Sequence, residues 1–379
     1  MSEYRILAGG DLFPRKCLEL YSAGDPGKLF DTEILELFRR ADLRVLNLEG
    51  ALTDSEKKTP KCGPSIKAPG STAAAIKALG VDYLSLANNH VMDYGAEGYS
   101  DTCRILEENG IGYFGAGESI SSVSPSVTVR AKGKTVTIYA VSETVFNIPG
   151  EDSPGANLYD EYRVCNELKE LKPECDLLIV LYHGGVEYFR YPTPWIRSRF
   201  HRMADCGADI ILGQHSHCIG TPESYNGCWM LYGQGNFHFI QGNEPELTRS
   251  GLLLEIVLGD KGFEVKPHLT YLDGYRAVYD KKQDLADLWE RGRRLESGDQ
   301  FEKEFSEYCG KWMIKWLLEF RGLTFKDKVF RKLLSQEKFI QYLRKSYSNH
   351  TVLRMLEHVR GEEDVEVMQQ GLADFYGRG

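Results

Sequence analysis

The chain predicts an α/β fold followed by a helical C-terminal region. From Tyr4 to Tyr271, short apolar runs alternate with amphipathic stretches, the pattern of helices covering a buried sheet. Residues 283–376 contain no proline, and their apolar residues recur at three- and four-residue spacing. Over 379 residues, 42% are apolar and 27% charged, which is enough to bury a full core and excludes wholesale disorder. At about 150 residues per domain, this length predicts two to three domains, and the change in composition places one boundary between 1–274 and 275–379.

Strands are expected at Tyr4–Ala8, Leu43–Leu48, Tyr83–Ala87, Val136–Val141, Leu177–Tyr182, Ile210–Leu212, Trp229–Tyr232 and Leu252–Leu258. Helices are expected at Asp31–Arg40, Ser71–Leu79, Ala96–Asn109, Asp160–Leu171 and Thr193–Cys206. Gly80 and Gly110 end two of these helices, where a left-handed residue closes the last turn. Residues 226–271 lack helical stretches and predict antiparallel edges of the same sheet architecture. Beyond them, helices are expected at Asp284–Leu295, Phe301–Phe320, Val329–Leu334, Glu337–Ser346 and Thr351–Val359. The stripe Phe305, Tyr308, Trp312, Trp316 and Phe320 reads as packing core.

Charge and cysteine usage narrow the class. A formal net charge of −9 disfavours nucleic acid as a partner. Residues 311–360 run the other way, with 12 Lys/Arg against 4 Asp/Glu. That stretch reads first as a solvated helical face, with contact to an acidic polymer, a membrane surface or nucleic acid as the alternative. Nine scattered cysteines without a C-x-x-C pair predict free thiols and neither a disulfide framework nor a structural zinc site. No run approaches the ~18 apolar residues of a membrane span, and MSEYRILAGGD lacks the features of a signal peptide, so a cytoplasmic protein is expected.

Residues able to bind metal occur repeatedly where strands end. Asp11 follows the first strand, and Asn47 and Glu49 close the second in LNLEG. Asn88, Asn89, His90 and Asp93 follow the third in LANNHVMDYG, His183 and Glu187 lie in LYHGGVE, and His215 and His217 in GQHSH. In an open α/β sheet, ligands bind beyond the carboxyl ends of the strands, so five strand ends deliver these groups to one rim. A single such Asp is a turn residue and a single such His a hydrogen-bonded core residue, but four of nine histidines at strand ends form a pattern. Mixed nitrogen and oxygen donors suit Mn, Fe or Zn, and the number of ligands makes a dinuclear cluster the economical arrangement.

The order of these motifs, from GD at Asp11 through NLEG, LANNHVMDYG and HGGVE to GADIILGQHSHCIGTPESYNG and LYGQGNF, resembles the CapA family of poly-γ-glutamate and capsule synthesis proteins over residues 4–271. The resemblance implies a metallophosphatase (calcineurin-like) fold, a four-layer α/β/β/α sandwich with a helical C-terminal appendage. It implies Asp11 as a carboxylate of the first metal and Glu49 as a bridging carboxylate. Asn89, His183 and His215 stand as ligands of the second metal, with His217 returning to the first. His90 resembles the histidine that assists the leaving oxygen, and Asp93 is placed to orient it. Two divalent ions are expected, or one if the first site is depleted.

Two positions depart from the metallophosphatase pattern. Phe13 stands where Asp-x-His would supply a histidine to the first metal, with Glu187 or another residue as the substitute, and Glu49 replaces the usual bridging Asp. Gln214 and Ser216 replace the family's common His and Pro and leave the H-x-H pair intact. Lys67, in the turn-rich loop Thr53–Pro69, is a candidate contact for an anionic substrate together with Lys61, with solvated loop lysines as the plainer reading. Asn236 in GQGNF is a candidate contact for substrate or a metal-held water, and His238 is divided between the rim and a structural role. No P-loop, dinucleotide fingerprint or G-x-S-x-G is present.

The first functional expectation is a metal-dependent hydrolase acting on a phosphoester or an amide, with an anionic polymer or a phosphorylated small molecule as substrate. The alternative is a non-catalytic, metal-binding accessory protein of capsule polymer assembly. A metallonuclease is favoured only by residues 311–360.

Overall fold

The computed structural model describes residues 3–61, 63–145, 147–240, 245–298, 301–319, 329, 332–335, 338 and 349–375. The chain divides into two compact units, residues 1–59 with 65–301, and 60–64 with 302–379.

In chain order, the first unit opens with β1 (Tyr4–Phe13), α1 (Thr32–Arg40), β2 (Leu43–Leu48), α2 (Ala73–Leu79), β3 (Tyr83–Ser85), α3 (Gly95–Glu108) and β4 (Gly112–Phe114). A hairpin of β5 (Ser126–Ala131) and β6 (Lys134–Ser142) leads to α4 (Glu161–Leu171), β7 (Leu177–His183), α5 (Pro194–Asp205) and β8 (Ile210–Gln214). The remainder comprises β9 (Pro222–Tyr225), β10 (Cys228–Leu231), β11 (Asn236–Phe239), β12 (Ser250–Gly259), β13 (Gly262–Asp273), β14 (Arg276–Tyr279) and α6 (Ala286–Ser297).

The helices begin where their sequences can satisfy free amides. Asp31, Asp160 and Thr193 accept from Ile34 N at 3.0 Å, Arg163 N at 2.8 Å and Ile196 N at 3.3 Å. Pro194 occupies the first turn of α5, where its missing amide is harmless. Gly80 ends α2 with φ +82°.

Two sheets face each other. The first runs β14-β13-β12-β1-β2-β3-β4, with β11 also paired to the end of β1, and the second runs β9-β10-β8-β7-β6-β5. Strand alternation sorts side chains between layers. Ile6, Ala8, Val45, Leu254 and Ile256 of the first sheet pack with Ile138, Ile179, Leu181 and Leu212 of the second. Leu7, Leu46, Leu253 and Phe237 point the other way, into a core shared with Ile34, Phe38, Ile76 and Leu106 of α1–α3. On the outer face of the second sheet, the Tyr182 ring meets Phe200 of α5 at 5.4 Å. The layers are therefore α/β/β/α, as the resemblance implies.

The differences from expectation lie at strand ends and edges. β1 continues to Phe13, so Asp11 lies within the strand. The register shifts between Ala8 and Asp11, and beyond that shift Asp11 pairs with both Asn47 of β2 and Asn236 of β11. Residues 226–271 are only partly antiparallel, because β10 runs parallel to β8 and β11 parallel to β1. The expected boundary at 274 falls inside the first unit, since β14 pairs with β13 and Leu288 of α6 is buried in the inter-sheet core.

The second unit takes the helix Phe301–Glu319 from Glu302 onward, with Asn349–Arg360 and Glu362–Phe375, the last of them beyond the expected set. Phe305 and Cys309 are buried, and Tyr308 meets Trp312 at 6.0 Å. Trp316 lies within the first of these helices, and Phe320 lies outside the described residues, as do residues 330–331 of the expected helix Val329–Leu334, all of Glu337–Ser346 but Lys338, and residues 320–328, 330–331, 336–337 and 339–348 of the basic stretch. Among the described residues, no helix is long and apolar enough to cross a membrane.

Candidate metal centre

The carboxyl ends of β1, β2, β7 and β8, with the loop after β3, bring a set of buried ionisable groups together. The parallel register places Asp11 beside Asn47 and His183 beside Gln214, so the following residues emerge at one rim. Asn47 Nδ2 lies 2.8 Å from Asp11 Oδ1 and 3.2 Å from His183 Nδ1. His215 N donates to Asp11 Oδ2 at 3.1 Å. Both rim histidines of GQHSH adopt positive φ, +80° at His215 and +53° at His217, a conformation uncommon outside glycine that concentrates at functional sites.

Glu49 lies at the centre. His183 Nε2 stands 3.5 Å, His217 Nε2 3.8 Å and His90 Nε2 4.0 Å from its Oε1. Its side chain is 0% exposed, yet neither carboxylate oxygen has a hydrogen-bond partner among the described residues. A buried carboxylate without partners costs several kcal/mol unless a cation or proton compensates it. Two groups offer ligand atoms within 4.8 Å of one another: Glu49, His183 and His215; and Asp11, Glu49 and His217. They share Glu49. This donor set of oxygens and imidazole nitrogens, with no thiolate, fits a hard to borderline divalent ion.

The electrostatics follow from burial. Desolvation, reinforced by the Asp11 charge, pushes the Glu49 carboxyl well above its ordinary value. Desolvation drops His183 to about 3 and holds His215 well below the usual imidazole value, so both rings are neutral and able to donate a lone pair. At His217, desolvation is outweighed by Glu49 and Asp11, which raise it to about 9. Burial would raise Glu187 as well, but interactions led by the charge of His217 hold it below the usual range.

Partners fix the other expected residues. Asn89 Oδ1 lies 2.9 Å from His183 Nε2. His90 Nδ1 meets Asp93 Oδ2 at 2.7 Å, and Ile66 N donates to the same oxygen at 2.6 Å, so the dyad is rigid and His90 Nε2 is directed toward Glu49. Asn236 Oδ1 accepts from His217 Nδ1 at 2.9 Å while its Nδ2 donates to Thr248 O at 3.0 Å, so the contact it makes is with the histidine ring.

Three residues fall away from the cluster. Lys67 Nζ is held in its own loop by Ser55 O at 2.7 Å, Asp54 O at 3.3 Å and Glu56 Oε1 at 2.6 Å. Phe13 is fully buried in the core with its ring 6.4 Å from Phe239. His238 is tied to Tyr21 Oη at 3.0 Å and Tyr275 O at 2.9 Å, a structural role.

Glu143, absent from the sequence expectations, also reaches the rim: its Oε1 lies 3.6 Å from His215 Nε2. The available signal was its position just after the expected strand Val136–Val141, the same rule that singled out the other groups.

Residues 5–241 match the family described as bacterial capsule synthesis protein PGA_cap. The chain is similar to the capsule biosynthesis protein CapA of Bacillus anthracis, with 31% identity covering 56% of this chain and 53% of that protein. It is also similar to the PGA biosynthesis protein CapA of Bacillus subtilis, with 31% identity covering 61% of this chain and 62% of that protein. The chain thus spans between about half and three-fifths of the length of these two relatives. Among solved structures, it is similar to a phosphatase of Mycoplasma pneumoniae at 16% identity and a TM-score of 0.41, covering 76% of this chain and 99% of that one. A 5'-nucleotidase precursor from Thermus thermophilus matches at 14% identity and a TM-score of 0.43, covering 73% of this chain and 54% of that one.

Proposed function

Because the chain belongs to the bacterial capsule synthesis protein family PGA_cap, we propose that it is a metal-dependent hydrolase of capsule or poly-γ-glutamate biosynthesis. Its substrate in this reading is a phosphoester or an amide in an acidic polymer or a cell-surface precursor. One observation carries the reading: Glu49, completely buried and without a hydrogen-bond partner among the described residues, is common to both ligand groups.

Asp11, Glu49 and His217 would hold one divalent ion, and Glu49, Asn89, His183 and His215 a second, with Mn, Fe or Zn suited to the donors. When bound, such ions acidify water and offset charge developing on substrate oxygens. The chain's own residues supply the rest. Asp93 fixes the His90 ring through Nδ1, so His90 Nε2 is placed to pass a proton to a departing oxygen or nitrogen. Asn236 holds His217 in one orientation, and Asn47 ties Asp11 to the His183 side of the site. A cytoplasmic site of action is part of the reading, supported by eight free cysteines among the described residues.

The test is metal content after soaking in Mn²⁺ or Zn²⁺, followed by hydrolysis assays on a panel of phosphoesters and γ-glutamyl polymers. About two ions per chain are expected, with turnover lost in His90→Ala while the ions remain. Absence of bound metal under every condition overturns the proposal. A second reading, a metal-binding accessory protein of polymer assembly, is favoured by Phe13, whose core position leaves the first ion one histidine short. It would show metal-dependent polymer binding that His90→Ala does not change, with no turnover.

A further inference from the structure

We propose that Glu143 is the positioning residue for His215, holding the imidazole in its Nε2–H form so that Nδ1 is the nitrogen offered to the ligand cluster. The inference rests on the metal-centre reading for its consequence, not for its geometry.

Four observations support it. First, β6 and β7 run parallel in register, Ser142 beside His183, which puts Glu143 one residue past the strand end and beside the loop that follows His183. The Glu143 backbone N donates to His183 O at 3.0 Å. Second, its side chain lies across Gly184. A Cβ added there would sit 3.0 Å from the Glu143 Cβ, Cγ and Cδ, so a bare backbone at 184 makes room for the carboxylate. Third, Glu143 is 6% exposed and its two carboxylate oxygens face different loops: Oε2 accepts from Gly185 N at 3.1 Å, and Oε1 stands 3.6 Å from His215 Nε2. That distance is longer than a hydrogen bond by about half an ångström, and at this range the carboxylate favours a proton on the nitrogen that faces it.

Fourth, His215 is 8% exposed and its Nδ1 is buried without a hydrogen-bond partner among the described residues. One nitrogen therefore faces a carboxylate that can only accept, and the other is left for the site. Across the ring stand His183 at 5.0 Å and His217 at 6.1 Å between centroids, with the Glu187 charge also acting on it. A ligating histidine is commonly oriented through its second nitrogen by a carboxylate, which fixes its tautomer and raises its basicity. The segment that carries Glu143 is itself anchored. Asn147 Nδ2 donates to Asn88 O at 3.1 Å, Ser142 Oγ at 2.9 Å and Glu143 O at 3.2 Å, linking this strand end to the loop of Asn89 and His90.

The test reads the tautomer directly in the 379-residue chain prepared without metal. Long-range proton–nitrogen NMR of ¹⁵N-histidine protein, with His215→Gln for assignment, should show His215 as the Nε2–H form in the wild type and a shift toward Nδ1–H in Glu143→Ala. A wild-type His215 in the Nδ1–H form overturns the proposal, and that measurement needs no variant to fold. Co²⁺ titration followed by absorbance adds the consequence: Glu143→Ala should bind about 10- to 100-fold more weakly at one of its sites, and Glu143→Gln, whose amide oxygen can accept the same bond, should recover part of the loss. Wild-type Co²⁺ affinity in a folded Glu143→Ala also overturns it. If the wild type binds no Co²⁺ at all, the metal-centre reading fails, and the tautomer still decides the role of Glu143.

Discussion

Glu49 and Glu223 are both buried glutamates of the same unit, 0% and 6% exposed, and their surroundings are opposite. Glu223 is met by Arg197 at 2.6 and 3.1 Å, by the Tyr232 hydroxyl at 2.6 Å and by His201 Nε2 at 3.1 Å. Burial alone would raise its pKa, but hydrogen bonds from Arg197 and Tyr232 outweigh burial and hold it below the ordinary value. Glu49 has no hydrogen bond among the described residues, and its charged neighbours include Asp11 of like sign, so desolvation drives it well above. A chain that satisfies one buried carboxylate fully and leaves the other open is using the first to hold its fold and keeping the second for a cation.

The largest expected effect is at Glu49. Glu49→Gln should abolish binding at both ion positions, seen as loss of metal from the soaked protein, while melting of the metal-free protein stays level or improves because a buried charge is gone. If the metal-free variant unfolds instead, Glu49 is structural and the contrast with Glu223 breaks. Next comes His90→Ala, where turnover should fall about 10²- to 10⁴-fold with metal content unchanged. This sharpens the comparison, because the His90–Asp93 pair is as well satisfied as Glu223 and yet faces the rim.

Glu223→Gln should leave metal content intact and lower stability by about 1–3 kcal/mol in denaturant unfolding, through loss of the charge opposite Arg197. The two sites should also respond to pH with opposite sign. The Glu223 contribution is present above the ordinary glutamate pKa of about 4.3 and is lost as pH falls through the lower folded value. Glu49 has a raised folded pKa, so the metal-free protein loses stability as pH rises from about 4.3 through that folded value. Unfolding of the metal-free wild type and each Gln variant should show Glu49→Gln gaining on the wild type as pH rises above about 4.3, and the deficit of Glu223→Gln closing as pH falls below it. Smallest is Lys67→Met: its ion pair is a surface contact, so stability should move by no more than about 1 kcal/mol and metal content not at all.

Much of this was legible in the chain. Strand–helix alternation is local, and the expected strands Leu43–Leu48 and Leu177–Tyr182 recur in place because apolar runs of that length bury on both faces. The helix starts at Asp31, Asp160 and Thr193 were readable because a cap acts within three residues. The short strands β4, β9 and β11 were not, since their residues become extended by pairing with neighbouring strands.

The same division runs through the site. Which residue types stand at the strand ends is readable from the chain, because that follows from local patterning and the parallel-sheet rule. Which of them meet is set by the packing of the two sheets. The fold placed Glu49 between His183 and His217, turned Asn236 onto His217, closed Lys67 into its own loop and brought Glu143 to His215. The contacts of Glu49, Asn236 and Glu143 join positions 19 or more residues apart, and the orientation of a buried side chain is set by the partners around it, which no local pattern encodes.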